Sequence, residues 1–412
     1  VARPDISRIQ PATSWDLRNW GEYLLACNED DGKIYEWQLD TGTAAAVLSN
    51  APTDNRGIVV TEERFLFALG AGGNPRLVQW SDREDNNTWT PSATNEAGDL
   101  ELNTSGALMA GVSVRGQTLL LTTRDAHAAN YIGPPYVYGI QRVGTSCGLA
   151  AKQAVAVVDA GAFWMGAQSF YTYQGSTVQE LQSDVSDYVF NDINKAQVSK
   201  AFAVSNSMFG EITWFYPSSA STENDRYATY NYIENTWYTG DLDRTAGYDR
   251  GAFRQPMMAS ATDNKIYEHE IGFDYGGLTP FAETGPFMLG SGDQVISVVE
   301  MLPDEKTQGD VDVTFKTRFY PQGTERSYGP YSMSNPTSLR FTGRQVRMRV
   351  EGQRLSDWRV QPTTAQSCGI ASTSGLLSVR MASGVRSCLR MVTTTALSAL
   401  TKLQHQLTLL ML

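Results

Sequence analysis

Six times between Trp15 and Gly277 the sequence runs through one short unit: an apolar run, a turn rich in Gly, Asn or Asp, and a second run carrying aromatic residues. The pairs are Glu22 to Ala26 with Lys33 to Trp37, Arg64 to Leu69 with Arg76 to Trp80, and Gln117 to Thr122 with Ala129 to Gly133. Ala162 to Gly166 with Ser169 to Tyr173, Glu211 to Tyr216 with Arg226 to Tyr232, and Pro256 to Ser260 with Lys265 to His269 complete the series. Alternating or apolar runs bounded by turn residues are the signature of β-hairpins. A lone hairpin is only marginally stable in water, so each unit must bury its faces against its neighbours.

With Tyr35, Val78, Tyr131, Tyr171, Thr229 and Tyr267 as equivalent points, the spacings are 43, 53, 40, 58 and 38 residues. These bracket the roughly 40 to 50 residues of a propeller blade with loops of variable length. The expected fold is therefore all-β, a β-propeller of about six blades, each hairpin forming the middle of a blade. A pair of stacked β-sandwiches is the rival architecture. Asn87-Thr88-Trp89 and Asn235-Thr236-Trp237 echo each other, and each reads as a polar turn after which the Trp opens a blade's outer strand.

One short inserted helix is expected: Ser183-Asp184 caps Val185 to Ser199, with Val185, Tyr188, Val189 and Ile193 on one face. From about Thr279 the alternating strands lengthen, as in Val311 to Tyr320 and Gln345 to Glu351, which implies a small antiparallel sheet or sandwich. Arg347 and Arg349, with Arg340, Arg344 and Arg354 nearby, place guanidinium groups on one face, either solvated or meeting an acidic partner. After Asp357 no acid occurs, and after Trp358 no aromatic residue. The domains expected are a propeller body over 1–278, an antiparallel β domain over 279–360, and an atypical low-complexity tail over 361–412, disordered or out of frame.

The whole chain carries 33 basic and 44 acidic residues, a net −11. The four bases of the tail (Arg380, Arg386, Arg390, Lys402) leave residues 1–360 at −15. That balance argues against sequence-independent wrapping of nucleic acid by an exposed basic face, which needs clustered Lys and Arg against phosphate, and leaves room for a polyanion passing by. Val1-Ala2-Arg3-Pro4 shows no secretory leader, and no apolar run reaches the roughly 18 to 20 residues of a membrane span, so no membrane anchor is expected. Cys27, Cys147, Cys368 and Cys388 lack Cys-x-x-Cys spacing and read as free thiols of a reducing compartment.

Candidate chemistry is sparse. Gly144-Thr145-Ser146-Cys147-Gly148 fits the G-x-S-x-G nucleophile elbow, but no βαβ series surrounds it, and His269 is the only histidine between Ser146 and the tail. Asn28 to Gly32 and Asp241 to Asp243 offer oxygen ligands without calcium-loop spacing, so turn chemistry is favoured. Asp82 to Trp89 is similar to the structural Asp-box turn of sialidase-type propellers. Gly70 to Gly73 lacks the Lys-Ser/Thr of a phosphate loop. No catalytic residue, cofactor or metal site is expected.

Gly144 to Gly148, Val157 to Gly166, Phe170 to Gly175, Glu211 to Pro217, Asn224 to Tyr227 and Glu234 to Gly240 together resemble the tail-nozzle and packaged-DNA-stabilisation (tail accessory) proteins of short-tailed bacteriophages. The resemblance spans roughly Trp15 to Val360. It implies a non-enzymatic virion protein, assembled in the host cytoplasm, whose copies form a homo-oligomeric ring in the tail. Such a ring joins other tail or head–tail connector proteins, retains the packaged genome and passes double-stranded DNA on ejection without sequence-specific binding. No site residue carries over. The alternative is a glycan-binding or glycan-cleaving propeller, since aromatic-rich blades stack sugars.

Overall fold

A computed structural model describes residues 14–271, 279–288, 295–304, 311–332 and 337–352, and the backbone course of 374–381, 385–392 and 407–410. The chain divides into two compact units, Val1–Asp225 with Asp243–Tyr267, and Arg226–Leu242 with Glu268–Leu412.

In the first unit four successive antiparallel sheets each run in chain order. They are β1 (Trp15–Trp20), β2 (Tyr23–Asn28), β3 (Ile34–Trp37) and β4 (Ala46–Val47); then β5 (Gly57–Val60), β6 (Leu66–Leu69), β7 (Leu77–Trp80) and β8 (Gly98–Glu101). The third is β9 (Leu108–Val114), β10 (Gln117–Thr122), β11 (Asp125–Gly133) and β12 (Val137–Thr145), and the fourth β13 (Val155–Val158), β14 (Gly161–Met165), β15 (Phe170–Tyr173) and β16 (Val178–Glu180). β17 (Phe202–Asn206) pairs with β18 (Glu211–Tyr216). Each leading strand packs beside the next in space: β1 by β5, β5 by β9, β9 by β13, β13 by β17, and β17 by β21 (Ala246–Tyr248). β21 heads a three-stranded sheet with β22 (Met257–Ala259) and β23 (Ile266–Glu268). Meander sheets whose first strands gather side by side are blades around an axis, and the fold is an all-β propeller.

The hairpins read from the sequence are the middle strands of the first four blades: β2–β3, β6–β7, β10–β11 and β14–β15. The β2–β3 turn requires its glycine: Gly32 has φ +63°, and a Cβ there would stand 2.4 Å from Asp54 Cα. Between the second and third blades, Phe67 and Tyr138 meet edge to face at 4.8 Å, and the Tyr138 hydroxyl is hydrogen-bonded at 2.9 Å to the Thr61 hydroxyl.

The helix is shorter than its sequence pattern. α1 covers Ser186–Asp192, and a separate 3-10 turn follows at Val198–Lys200. Ile193 is already extended, Asn194 donates its N–H to Pro217 O, and Asn194 Oδ1 accepts from Ala196 N–H, so local turn bonds replace the helical ladder. Val185, Val189 and Ile193 are buried, whereas Tyr188 is 50% exposed. Trp237 opens an outer strand as expected, but Trp89 does not: it is buried within the loop ahead of β8, held by its indole N–H on Asn86 O at 2.8 Å.

The second unit holds the hairpin β19 (Arg226–Asn231) and β20 (Thr236–Asp241), and a sandwich. One sheet joins β24 (Phe281–Thr284), β25 (Phe287–Met288), β27 (Val311–Arg318), β28 (Arg326–Ser332) and β30 (Gln345–Gly352); the other contains β26 (Ile296–Asp304) and β29 (Thr337–Gly343). Strict alternation buries Val311, Val313 and Phe315 of one sheet against Leu339 and Phe341 of the other. In the 361–412 tract, β31 (Ser374–Met381) and β32 (Val385–Val392) pair beside β26, and β33 (Leu407–Leu410) pairs with β24. The remainder of that tract and Arg354 lie outside the described residues.

Candidate functional site

The most unusual chemistry in the first unit is a buried ion pair. Alternation along β1 turns Asp16, Arg18 and Trp20 away from the exposed side chains of Trp15 and Leu17. Asp16 Oδ2 accepts the Ile58 N–H at 3.1 Å and faces Lys152 Nζ at 3.3 Å, and each side chain is 6% exposed. Lys152 also donates to Arg56 O, and Glu29 Oε2 lies 3.9 Å away. A Cβ on Gly57 would stand 2.3 Å from Asp16 Oδ2, so glycine leaves the space this carboxylate occupies. Arg18 reaches the Gly111 carbonyl at 3.1 Å. These groups tie the first blade to the second, third and fourth. A buried charge stripped of water is tolerated only when paired and hydrogen-bonded, and here the cation and anion are both satisfied internally. Cys27 packs beside them, and burial pushes its thiol up to about 12 against the opposing pull of Lys152.

A second buried group surrounds the Gly144–Gly148 motif. Asp125 Oδ1 accepts from Thr104 Oγ1 at 2.8 Å and Thr122 Oγ1 at 2.5 Å, with His127 Nε2 at 3.4 Å. Burial holds His127 below its ordinary 6.5, with Asp125 opposing, which keeps the imidazole neutral near pH 7. Burial also raises Cys147 to about 11. Ser146 is exposed with φ +56°, and its carbonyl accepts the Tyr171 hydroxyl at 3.0 Å. A Cβ on Gly148 would lie 2.1 Å from Thr123 O, and one on Gly144 2.7 Å from Cys147 Sγ. The glycines serve close packing. A bridge at Leu149 and then β13 follow, not the helix that a nucleophile elbow requires.

The acidic turns are also committed to structure. Asp31 Oδ1 accepts Lys33 N–H at 3.0 Å and its other oxygen accepts the Tyr35 hydroxyl. Asp243 accepts the Ser260 hydroxyl and pairs with Arg244 at 3.2 Å, while Asp241 pairs with Arg226 at 3.4 Å. In the 82–89 turn, Asp85 accepts Asn87 N–H at 2.9 Å and the Thr88 hydroxyl at 2.8 Å. Among the described residues no three His, Cys, Asp or Glu side chains converge as a metal-holding group.

The Arg-rich face of the sandwich meets its acids within the same sheet. Glu283, 11% exposed, faces Lys316 at 2.9 Å, Arg347 at 3.4 Å and Arg349 at 3.5 Å. Arg349 also pairs with Glu351 at 2.7 Å and lies 3.7 Å over the Phe281 ring. Arg340 stands on the other sheet and is exposed. Sequence spacing placed Arg347 and Arg349 together but missed Glu283, whose strand lies far upstream.

What the first unit leaves open is a sheet face. The middle strands β6, β10 and β14 are almost wholly buried on both faces, whereas β2 alternates half-exposed and buried. On the uncovered side of the first blade stand Trp15, Leu17 and Val47, 47%, 54% and 46% exposed, beside half-buried Leu24, Tyr35 and Trp37. The register puts them on one face. A cleft of about 520 Å³ between Asn19, Tyr23 and Leu39 lies at its end.

No helix among the described residues is long and apolar enough to cross a membrane. No protein-family model and no curated protein sequence matches the chain. Among solved structures it is similar to a streptogramin B lyase, with TM-score 0.41 and 8% identity over 63% of this chain and 84% of that one. Virginiamycin B lyase from Staphylococcus aureus gives 0.40 and 7% over 63% and 83%. The WD40 domain of Toxoplasma gondii coronin gives 0.36 and 11% over 60% and 64%. At these values the likenesses assign no activity, and the fold rests on the strand order described above.

Proposed function

We propose that this chain is a structural, non-enzymatic virion protein: a subunit of the tail tube or nozzle of a short-tailed bacteriophage, retaining packaged DNA and letting it pass on ejection. The observation that carries the reading is that the two buried charge clusters, Asp16–Lys152 and Glu283 with its three cations, are each closed on their own partners. Groups arranged in this way hold blades and strands together. The family resemblance of the 144–240 stretches supports the same reading, as does the −15 balance of residues 1–360, since an acidic wall repels phosphate and lets a polyanion slide. Its partners are further copies of itself and neighbouring tail or head–tail connector proteins, and its location is the virion tail.

One observation favours a glycan-binding propeller instead: Trp15 is 47% exposed with its ring 6.1 Å from that of Tyr35, an aromatic platform of the kind sugars stack on. Mass photometry of the full chain and a polysaccharide array separate the two. Self-association into a species of several subunits, with no glycan bound, supports the virion reading; a persistent monomer that binds or cleaves a polysaccharide overturns it.

A further inference from the structure

The uncovered face of the first blade has a counterpart at the far end of the same unit. In the β21–β22 pair, Gly247 and Met258 turn inward against β17: Met258 is 8% exposed, and a Cβ on Gly247 would lie 3.3 Å from Val204 and 3.4 Å from Phe202. Strand alternation therefore turns Ala246, Tyr248, Met257 and Ala259 outward. Tyr248 is 59% exposed, and the other three are exposed or half-buried. The unit thus starts and ends on sheet faces with the apolar character of its interior blade contacts, and both face solvent. Contiguous apolar patches of this kind mark association sites.

The rims differ in charge. Around the open face of the first blade Glu22, Glu29, Asp30, Asp31 and Asp40 are exposed against Lys33, whereas around the last sheet Arg250, Arg254 and Lys265 are exposed against Asp263 and half-buried Asp249. We infer that the occupant of each face is a second copy of this chain: the outer face of the first blade on one copy packs against the outer face of the β21–β23 sheet on the next. The two surfaces are different patches of one chain, so the contact is heterologous and propagates head to tail, closing into a ring where the rotation allows. Opposite rim charges set the orientation of the approach. The inference rests on the virion reading above and names the surface through which its copies associate. The Arg-rich sheet is not the surface that meets an acidic partner, since its Arg347 and Arg349 already meet Glu283.

The test uses full-length chains in sedimentation velocity across a concentration series. Leu17→Glu spoils the first face and Tyr248→Glu the second; both positions are exposed, and thermal unfolding coincident with wild type confirms that each variant folds. Each variant alone is expected to sediment as monomer, with association weakened at least 10-fold. An equimolar mixture should form dimers and nothing larger, because one intact face of each kind remains. A wild-type oligomer indifferent to both substitutions overturns this inference and leaves the virion reading standing; a wild-type monomer overturns both. Failure of the mixture to dimerise overturns the head-to-tail contact. Oxidation of a Leu17→Cys/Tyr248→Cys double variant should give an intermolecular ladder, whereas a link confined to the monomer shows that the chain covers its own faces and contradicts the proposal.

Discussion

Lys152 Nζ stands 3.3 Å from Asp16 Oδ2 with both side chains 6% exposed, although one residue precedes the fourth blade and the other lies in the first. The pair is a clasp between blades. Lys152→Met removes the cation and leaves the Asp16 carboxylate buried without its partner, which is expected to cost about 3 to 5 kcal/mol. Asp16→Asn with Lys152→Met should recover part of that loss, and urea unfolding of the single and double variants measures the coupling.

The thiols of Cys27 and Cys147 are held protonated by burial, at about 12 and about 11. The thiolate is the reactive form, so both should resist alkylation in the native protein at pH 8 and react once it is unfolded. Because the folded values lie above the ordinary 9.0, their stabilising effect is complete below pH 9 and is lost as pH rises through the folded values. Peptide mass spectrometry after pulse alkylation follows each cysteine separately.

His127 behaves in the opposite sense. Its folded value lies below 6.5, so its contribution is present above pH 6.5 and lost as pH falls, when the unfolded chain takes up the proton more readily. Between pH 7 and pH 5 the wild type should lose more unfolding free energy than His127→Gln, read from urea titrations at each pH.

Ser146 and Gly148 separate packing from catalysis within one motif. Ser146→Ala, at an exposed position, should change stability by no more than about 0.5 kcal/mol. Gly148→Ala forces a Cβ against the Thr123 carbonyl and should cost about 1 to 3 kcal/mol. Thermal unfolding of the two variants checks the contrast.

In the second unit, Glu283→Gln leaves Lys316, Arg347 and Arg349 crowded around a neutral amide. A loss of about 2 to 4 kcal/mol is expected, because the acid side chain is largely withdrawn from water. Arg340→Ala, on an exposed position of the other sheet, serves as the control and should stay within about 0.5 kcal/mol.

The hairpins were legible because their signal is local: Asp31-Gly32 between Leu24-Leu25 and Ile34-Tyr35 writes strand, turn and strand within a few residues. The buried ion pair was not, since Asp16 reads as an ordinary alternating polar position and Lys152 as a loop cation until the blades meet. Glu283 escaped for the same reason: the Arg347 and Arg349 pattern shows a charged face, but its neutralising acid comes from another strand. Trp89 and Trp237 share the motif Asn-Thr-Trp, yet one is packed into a loop core and the other opens a strand. The longer turn at Asp82 to Asn87 spends its side chains on its own backbone, and tertiary packing decides where the Trp goes. The helix over-reading at Ile193 has the same cause in miniature, a local Asn194 turn outbidding periodicity.

Single-particle cryo-electron microscopy of the full-length chain at high concentration tests the central claim most directly. The account predicts a ring of several propeller subunits around an acidic lumen that releases double-stranded DNA at physiological salt. A monomeric particle with a polysaccharide seated on the Trp15–Tyr35 face would contradict it.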